Sequence, residues 1–380
     1  MHIRLCMIVK NEAHVIRRCL DSVRPLLSSW CIVDTGSTDG TQAIITEHMK
    51  DIPGCVYERP WVQETINRNQ ALELARDLTS QSMPALPPEQ VYLFVIDADE
   101  VAEMLTDAPI PPAGPDAYTV TMHMGGSYDY DRLSLVRADL PACYFGTGKI
   151  AGIHPTIMRD NHTSIATERW GGFRVVPYPD GASWNEVGKY QKHADLLAQD
   201  AADEPTNTRV RFYLAQSLRD AAKFVSGEER TKLREQALAS YRIRVDLGEG
   251  GFAEEQWVAA WEAAQLEGQL GRDPTKSLLA AHMMRPWRAE CLFALAQRNN
   301  VTGKYDLAYS YACAAVELDR IADERLFVDR SIYAWRVWEE LGLAAYYTNR
   351  RAKARVCFER AAQACTGDDL TRMLRNIGCC

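Results

Sequence analysis

Four short runs of branched and aromatic residues punctuate the first hundred residues: 3–9, 31–33, 55–58 and 91–96. Between them lie segments whose apolar residues recur at helical spacing: 12–27, 41–49 and 66–78. A continuous apolar run of this length reads as a strand buried on both faces. Strands separated by helix-length crossovers pair in parallel. The order strand, helix, strand, helix, strand, helix, strand therefore predicts an α/β domain built on a mostly parallel, Rossmann-like sheet. Pro84, Pro87 and Pro88 break the chain before the fourth run. From 118 to 177 the pattern is less regular, with short strands expected at 118–122 and 133–137.

The chain changes character near residue 190. Helical periodicity covers 208–222, 229–247, 254–270, 275–284, 287–298, 305–318, 331–347 and 351–365, separated by short Gly, Pro or polar breaks. Alanines at helix-crossing spacing suggest paired helices in a repeat array. The best copy is Trp338-x-x-Leu341-Gly342, Tyr346, Ala354-x-x-x-Phe358 and Ala361, which resembles the tetratricopeptide pattern with a one-residue slip at the tyrosine. A weaker copy is Gly303-Lys304-Tyr305 with Ala308, Ala312 and Ala315. An irregular helical bundle is the other reading. Two domains are expected, 1–190 and 191–380.

With 47% hydrophobic and 25% charged residues, the 380-residue chain excludes a disordered tail, a collagen-like chain and a coiled-coil rod. No apolar run is long enough to span a membrane. The first ten residues are too short for a signal peptide, and the eleven cysteines form no metal or disulfide spacing, so a reducing cytoplasm is expected. Cys379-Cys380 is a vicinal pair that could oxidise. The net charge of −8 leans against a chain devoted to gripping phosphate backbones, without excluding a local basic groove. Trp257, Trp261, Trp335 and Trp338 stand at helical spacing and read as core. The cluster Arg350, Arg351, Lys353 and Arg355 reads as a solvated face.

The most informative segment is Asp97-Ala98-Asp99, which leaves a buried strand at its C-terminal tip. In open α/β sheets that edge is where ligands bind. Paired aspartates repel unless a cation or donor offsets them, and oxygen ligands suit Mg²⁺ or Mn²⁺. A solvated turn is the alternative. In the loop from Asp34 to Thr41, an acid at a strand tip can accept from a base N–H or a ribose hydroxyl, while small residues allow close approach. An N-capped strand-to-helix turn explains the same residues, and both can hold. Met7-Ile8-Val9-Lys10-Asn11-Glu12 lies at the first strand tip. Arg68, in Asn67-Arg68-Asn69, can meet a diphosphate or lie on the surface.

These segments fall in order along one sheet edge, and together they resemble the family 2 glycosyltransferases with the GT-A fold. The carriers are residues 7–12, 34–41, Arg59-Pro60-Trp61 with Asn67-Arg68-Asn69, and 97–100. The resemblance continues through Tyr128-x-x-x-Arg132, Gly152-Ile153-His154, Asp180-Gly181 and Arg285-Pro286-Trp287-Arg288-Ala289-Glu290. It is closest to the bacterial and phage subgroup in which a GT-A domain precedes tetratricopeptide-like helices, which includes relatives of enzymes that glycosylate peptide cysteine or serine.

The resemblance implies a nucleotide-sugar donor, a UDP-sugar first, held by Val9, Asn11, Glu12, Asp34, Ser37, Asp39, Arg68, Asp97 and Ala98. It implies Mn²⁺ or Mg²⁺ ligated by Asp99, His154 and Asp97. It implies inverting transfer to a hydroxyl or thiol of a peptide, protein or glycan. A carboxylate would take the acceptor proton, with Asp180 the first candidate base and Asp131 the second. Two departures stand out. Pro155 follows His154 where the family commonly has Glu, so a base supplied there must come from elsewhere. Gln63-Glu64 replaces the common Asp-Phe after the tryptophan. Two other readings remain: the same chemistry on a modified DNA base, and a non-catalytic adaptor. The helical array could hold the acceptor in a concave face or form a homodimer.

Overall fold

The computed structural model describes residues 1–82, 87–107, 110–111, 113–125, 128–186, 188–248, 250–318 and 324–380. Of the three prolines expected to break the chain, Pro84 lies outside the described residues. The chain divides into two compact units: Met1–Gly125 with Tyr130–Asp203, and Glu204–Cys380 with Gly126–Asp129.

The first unit opens with β1 (His2–Val9), α1 (Ile16–Val23), β2 (Ser29–Asp34), α2 (Thr41–His48), β3 (Gly54–Glu58), α3 (Glu64–Ser82) and β4 (Val91–Val95). Then come β5 (Glu100–Met104), β6 (Ala117–His123), β7 (Tyr128–Arg137), β8 (Ala142–Thr147), β9 (Ile153–Arg159), β10 (Thr167–Pro177) and α4 (Lys189–Asp203). The main sheet runs β3-β2-β1-β4-β7-β6-β10-β5, and β8 pairs with β9. β1 to β4 are parallel neighbours, whereas β7 runs antiparallel to β4. This is an α/β architecture built on a mixed sheet.

Side-chain alternation explains the layers. Ile3, Leu5, Met7 and Val9 of β1, with Tyr92 and Phe94 of β4, pack in one core with Ile16, Cys19, Leu20 and Val23 of α1. Cys6, Val91, Leu93 and Val95 point the other way, onto Ala71, Leu72 and Ala75 of α3. Arg4 lies wholly buried on the α3 side, where Nε donates to Ser29 Oγ at 2.8 Å and Nη1 to the Ala75 carbonyl at 2.7 Å.

The helix α4 belongs to this unit, whose contacts extend to Asp203. Its Asp200 is the reason: the carboxylate accepts from the Ile150 and Ala151 N–H groups at 2.9 and 2.8 Å.

The second unit contains α5 (Thr208–Ala221), α6 (Gly227–Asp246), α7 (Ala253–Gln269), α8 (Thr275–Met284), α9 (Glu290–Val301), α10 (Tyr305–Val316), α11 (Val337–Tyr347), α12 (Arg351–Ala362) and α13 (Gly367–Cys379). The tetratricopeptide signature is physical here. A Cβ on Gly342 would come within 2.6 Å of the Phe358 ring, so Gly342 lets α11 and α12 approach. Leu341, Ala354, Phe358 and Ala361 are buried around that crossing. Ala308, Ala312 and Ala315 are buried on α10 in the same way. Trp257 is buried and stacked on Trp261, with the Arg288 guanidinium 3.6 Å from its ring centre. The Arg350 and Arg351 guanidinium groups lie over Tyr309 and Tyr346. All eleven cysteines, each among the described residues, are free thiols. Among the described residues no helix is long and apolar enough to cross a membrane.

Candidate active site

The parallel strands β1, β2 and β4 end on one edge of the sheet, with Val9 level with Asp34 in the β1–β2 register. The loops leaving β1 and β2 then close on each other. Asn11 N–H donates to Ser37 Oγ at 2.8 Å, and Asn11 Oδ1 accepts from Thr38 N–H at 2.8 Å. Glu12 N–H donates to Thr41 Oγ1 at 2.9 Å, and Ala13 N–H to Asp39 Oδ2 at 2.9 Å. Asn11 carries a positive φ of 58°, a conformation asparagine tolerates better than most residues. Gly36, at φ 106°, lets the chain turn straight off β2. The structure thus brings together Val9, Asn11, Glu12, Asp34, Ser37 and Asp39.

Asp34 is 1% exposed. Its Oδ1 accepts from Gly36 N–H at 2.9 Å and Ser37 N–H at 2.8 Å. Burial raises its pKa, but these bonds and the side chains of Ser37 and Gln42 outweigh that, holding the carboxyl below the usual range. Its Oδ2 is buried without a hydrogen-bond partner of good geometry. Such an orphaned acceptor is costly unless a donor arrives.

Asp97 and Asp99 leave β4 into two different environments. Asp97 accepts from Arg68, with Nη2 2.9 Å from Oδ1, while Arg132 stands 3.9 Å away. Burial raises its pKa, yet Arg68 and Arg132 prevail and keep Asp97 ionised below the usual range. Arg132 is held bidentate by Glu100 at 2.7 and 2.6 Å. Arg68 is also tied to Glu64 at 3.1 Å. Its neighbours fix the helix: Asn67 accepts from Val62 N–H and donates to the Pro60 carbonyl, and Asn69 bonds the Tyr144 backbone twice. Arg68 thus neutralises Asp97 in this structure.

Asp99 has no cationic partner among the ion pairs formed by described residues. The Trp184 indole N–H donates to its Oδ2 at 2.7 Å. Burial, Asp97 and Glu100 push its carboxyl up to about 6. Glu12, half-buried, is pushed up to about 7, chiefly by burial, with Asp99 and Asp97 adding repulsion. Ala98 between the aspartates is buried.

A segment after β10, residues 178–184, closes over these acids. Ala182 N–H donates to both Glu12 carboxylate oxygens at 3.2 Å. His14 Nε2 lies 2.6 Å from the Asp180 carbonyl oxygen. Arg18 pairs bidentately with the Asp180 carboxylate at 2.7 Å through each nitrogen, and its guanidinium lies 4.2 Å from the Tyr178 ring centre. A Cβ on Gly181 would fall 2.6 Å from Asp99 Oδ2, so a larger residue there would displace the Asp99 side chain.

Asp180, the first candidate base, is paired with Arg18, which holds its carboxyl below the usual range. Asp131, the second, has a side chain 4% exposed that accepts from Thr121 Oγ1 and pairs with Arg169 at 3.2 Å. The ligand set Asp97, Asp99 and His154 is not assembled. Among the described residues no three His, Cys, Asp or Glu side chains gather closely enough to hold a metal ion. Asp97 is committed to arginines, and His154 lies exposed on β9 at φ 48° with its ring 6.2 Å from that of His193.

The sequence reading missed Trp184 and the pairing of Arg132 with Glu100. An aromatic residue in Pro179-Asp180-Gly181-Ala182-Ser183-Trp184, a stretch without strand or helix period, was the available signal for the first. Partners 32 residues apart left none for the second.

The family model described as glycosyl transferase family 2 matches residues 5–104, which run from within β1 to the end of β5 and include the acids at the strand tips. The TPR repeat-containing protein Synpcc7942_0270 of Synechococcus elongatus is 30% identical over 150 residues, 38% of this chain and 33% of that protein. The chain thus spans about a third of the length of the curated relative it matches. Among solved structures, MamA superposes at a TM-score of 0.36 with 16% identity, covering 47% of this chain and 89% of that one. BtubC from P. vanneervenii superposes at 0.40 with 18% identity, covering 53% and 83%. The chain carries a family 2 glycosyltransferase domain in its α/β unit, followed by a domain of tetratricopeptide-like helix pairs.

Proposed function

We propose that the α/β unit binds a nucleotide sugar, a UDP-sugar first, across the tips of β1, β2 and β4. It transfers the sugar with inversion to a hydroxyl or thiol of a peptide, protein or glycan. The observation that carries this reading is the convergence of three strand-tip loops on carboxylates whose charge the protein does not balance. Asp97 and Glu100 have arginines, whereas Glu12 and Asp99 are left pushed up to about 7 and about 6. The orphaned Asp34 Oδ2 suits the N–H of a pyrimidine base.

Mn²⁺ or Mg²⁺ would be held by Asp99, whose carboxylate has no arginine or lysine in an ion pair among the described residues. When bound, such a cation neutralises charge on the departing diphosphate. The chain's own residues do the remainder. The zipped loops from Asn11 to Thr41 orient the nucleoside, and residues 178–184 shield the reacting end from water. The acceptor O–H or S–H loses its proton as its oxygen or sulfur bonds the anomeric carbon, and the bond from that carbon to the diphosphate breaks. Of the carboxylates here, Glu12 is tuned nearest to a base working at neutral pH, and we assign it the proton.

For the acceptor we favour a peptide held by the helical unit. A cavity of about 610 Å³ there is lined by Gln265, Gln297, Asn300 and Glu340, with Tyr305 and Tyr347 stacked 4.4 Å apart at its edge. Gln297 and Asn300 donate to Glu340, so Gln265 is the amide side chain offered to an extended backbone.

The test is calorimetric titration of the full chain with UDP, GDP and dTDP, each with and without Mn²⁺. Binding that strengthens with Mn²⁺ and is lost in Asp99→Asn is the expected result. No binding at millimolar nucleotide would favour the adaptor reading.

A further inference from the structure

Trp184 is the large aromatic side chain that the mechanism above leaves unused. Its edge is fixed, because the indole N–H donates to Asp99 Oδ2 at 2.7 Å. Its body is partly open: the residue is 41% exposed, with Lys189 over the ring. Its backbone is fixed as well. Gly181 packs against Asp99, Ala182 bonds Glu12, and Asp180 is clamped by Arg18, all within four residues. Lys189 lies 5.7 Å from the ring centre and bonds Ser183 Oγ. A rigid, partly open aromatic face is thereby held one hydrogen bond from the carboxylate placed at the diphosphate.

We propose that Trp184 is the sugar-recognition platform of this site, taking the C–H face of the donor hexopyranose on its exposed ring while its N–H keeps Asp99 in place. This rests on the nucleotide-sugar reading above. The chemistry follows from the ring: its negative face attracts the weakly positive C–H groups of a pyranose, and its flat area replaces water over an otherwise apolar sugar surface. A bare nucleoside diphosphate has no group to place there. Trp184 therefore discriminates between a nucleotide sugar and its own leaving nucleotide.

The experiment measures, on the full chain with Mn²⁺, the affinities for UDP and UDP-glucose, GDP and GDP-mannose, and dTDP and dTDP-glucose. The quantity read is the ratio of sugar nucleotide to nucleoside diphosphate affinity. Two variants separate ring from N–H. Trp184→Phe keeps an aromatic face without the donor, and Trp184→Leu keeps bulk without the face. In Trp184→Leu the ratio is expected to fall about tenfold for the preferred pair, while affinity for the bare diphosphate stays within about threefold of that in Trp184→Phe, which loses the same N–H. In Trp184→Phe the ratio stays near that of the unaltered protein. An unchanged ratio in Trp184→Leu, or equal losses for both ligands, overturns the platform and leaves the nucleotide-sugar reading standing. Absence of any nucleotide binding by the unaltered protein overturns that reading, and the platform with it. Should Trp184→Leu fail to fold, a ratio in Trp184→Phe as low as that for a site without any ring, near one, overturns the proposal alone.

Discussion

Glu12 and Asp99 are acids kept where ionisation is costly, and this has consequences that solution measurements can read. Their folded pKa values, about 7 and about 6, lie above those of the unfolded chain. The folded state then binds protons more tightly than the unfolded one. Their contribution to stability is complete below about pH 4 and is lost as pH rises through 6 and 7. Denaturant midpoints should therefore fall between pH 5 and 8, and Glu12→Gln should flatten that slope. The effect is about 1 kcal/mol after allowing for the solvent-facing half of Glu12. An unaltered slope in Glu12→Gln would show that its carboxyl titrates normally. Mn²⁺ added at pH 6.5 should also release protons, visible as a binding enthalpy that changes with the buffer's ionisation enthalpy.

At this scale the sequence was legible where function sits in local motifs. Asn11, Glu12, Asp34, Ser37 and Asp39 do converge, because two short loops leave neighbouring parallel strands. It was not legible where charge is balanced by distant partners. Arg68 and Arg132 reach Asp97 across 29 and 35 positions, and nothing in the local pattern around any of them announces the pairing.

At the scale of elements, two glycines carry the close approaches. Gly342 has the Phe358 ring where a Cβ would stand, so Gly342→Ala must separate α11 from α12 or displace the ring. Overpacking of this kind costs about 1–3 kcal/mol, and the melting temperature should drop by several degrees. Gly181→Ala should leave the melting temperature nearly unmoved while weakening Mn²⁺-dependent nucleotide binding, because its Cβ would strike Asp99 Oδ2. Equal stability of Gly342→Ala and the parent would remove the physical basis for the helix-pair signature.

The repeat pattern was readable because Gly and Ala at fixed spacing report helix contact directly. Helices α4 and α13 were not read. Lys189–Asp203 begins where the strand pattern fades, and its buried Asp200 is spent on the Ile150 and Ala151 N–H groups rather than on a helical neighbour. The first half of β7 carries charged residues at alternate positions, and β5 has Glu100 and Glu103 within five residues, which hides both from a search for apolar runs.

At the scale of the whole molecule, each unit has its own core and its own buried polar network. In the helical unit Arg288 is wholly buried, with Nη2 2.6 Å from Glu290 and Nη1 3.2 Å from Glu324, while Tyr333 donates to Glu290 at 2.7 Å. Arg288→Met would leave the buried Glu290 with Tyr333 and no cation, while Glu324 keeps Arg285 and Trp287, and a loss of about 3 kcal/mol is expected in denaturant unfolding. The motif around Arg288, singled out by resemblance alone, is thus a structural device of the helical unit.

The most direct measurement is release of free nucleoside diphosphate from a panel of nucleotide sugars incubated with the full chain and Mn²⁺. Slow release from one donor, lost in Asp99→Asn with the fold retained, is the result expected of acids gathered to hold a nucleotide sugar. Equal background release with every donor, unaffected by Asp99→Asn, would contradict it.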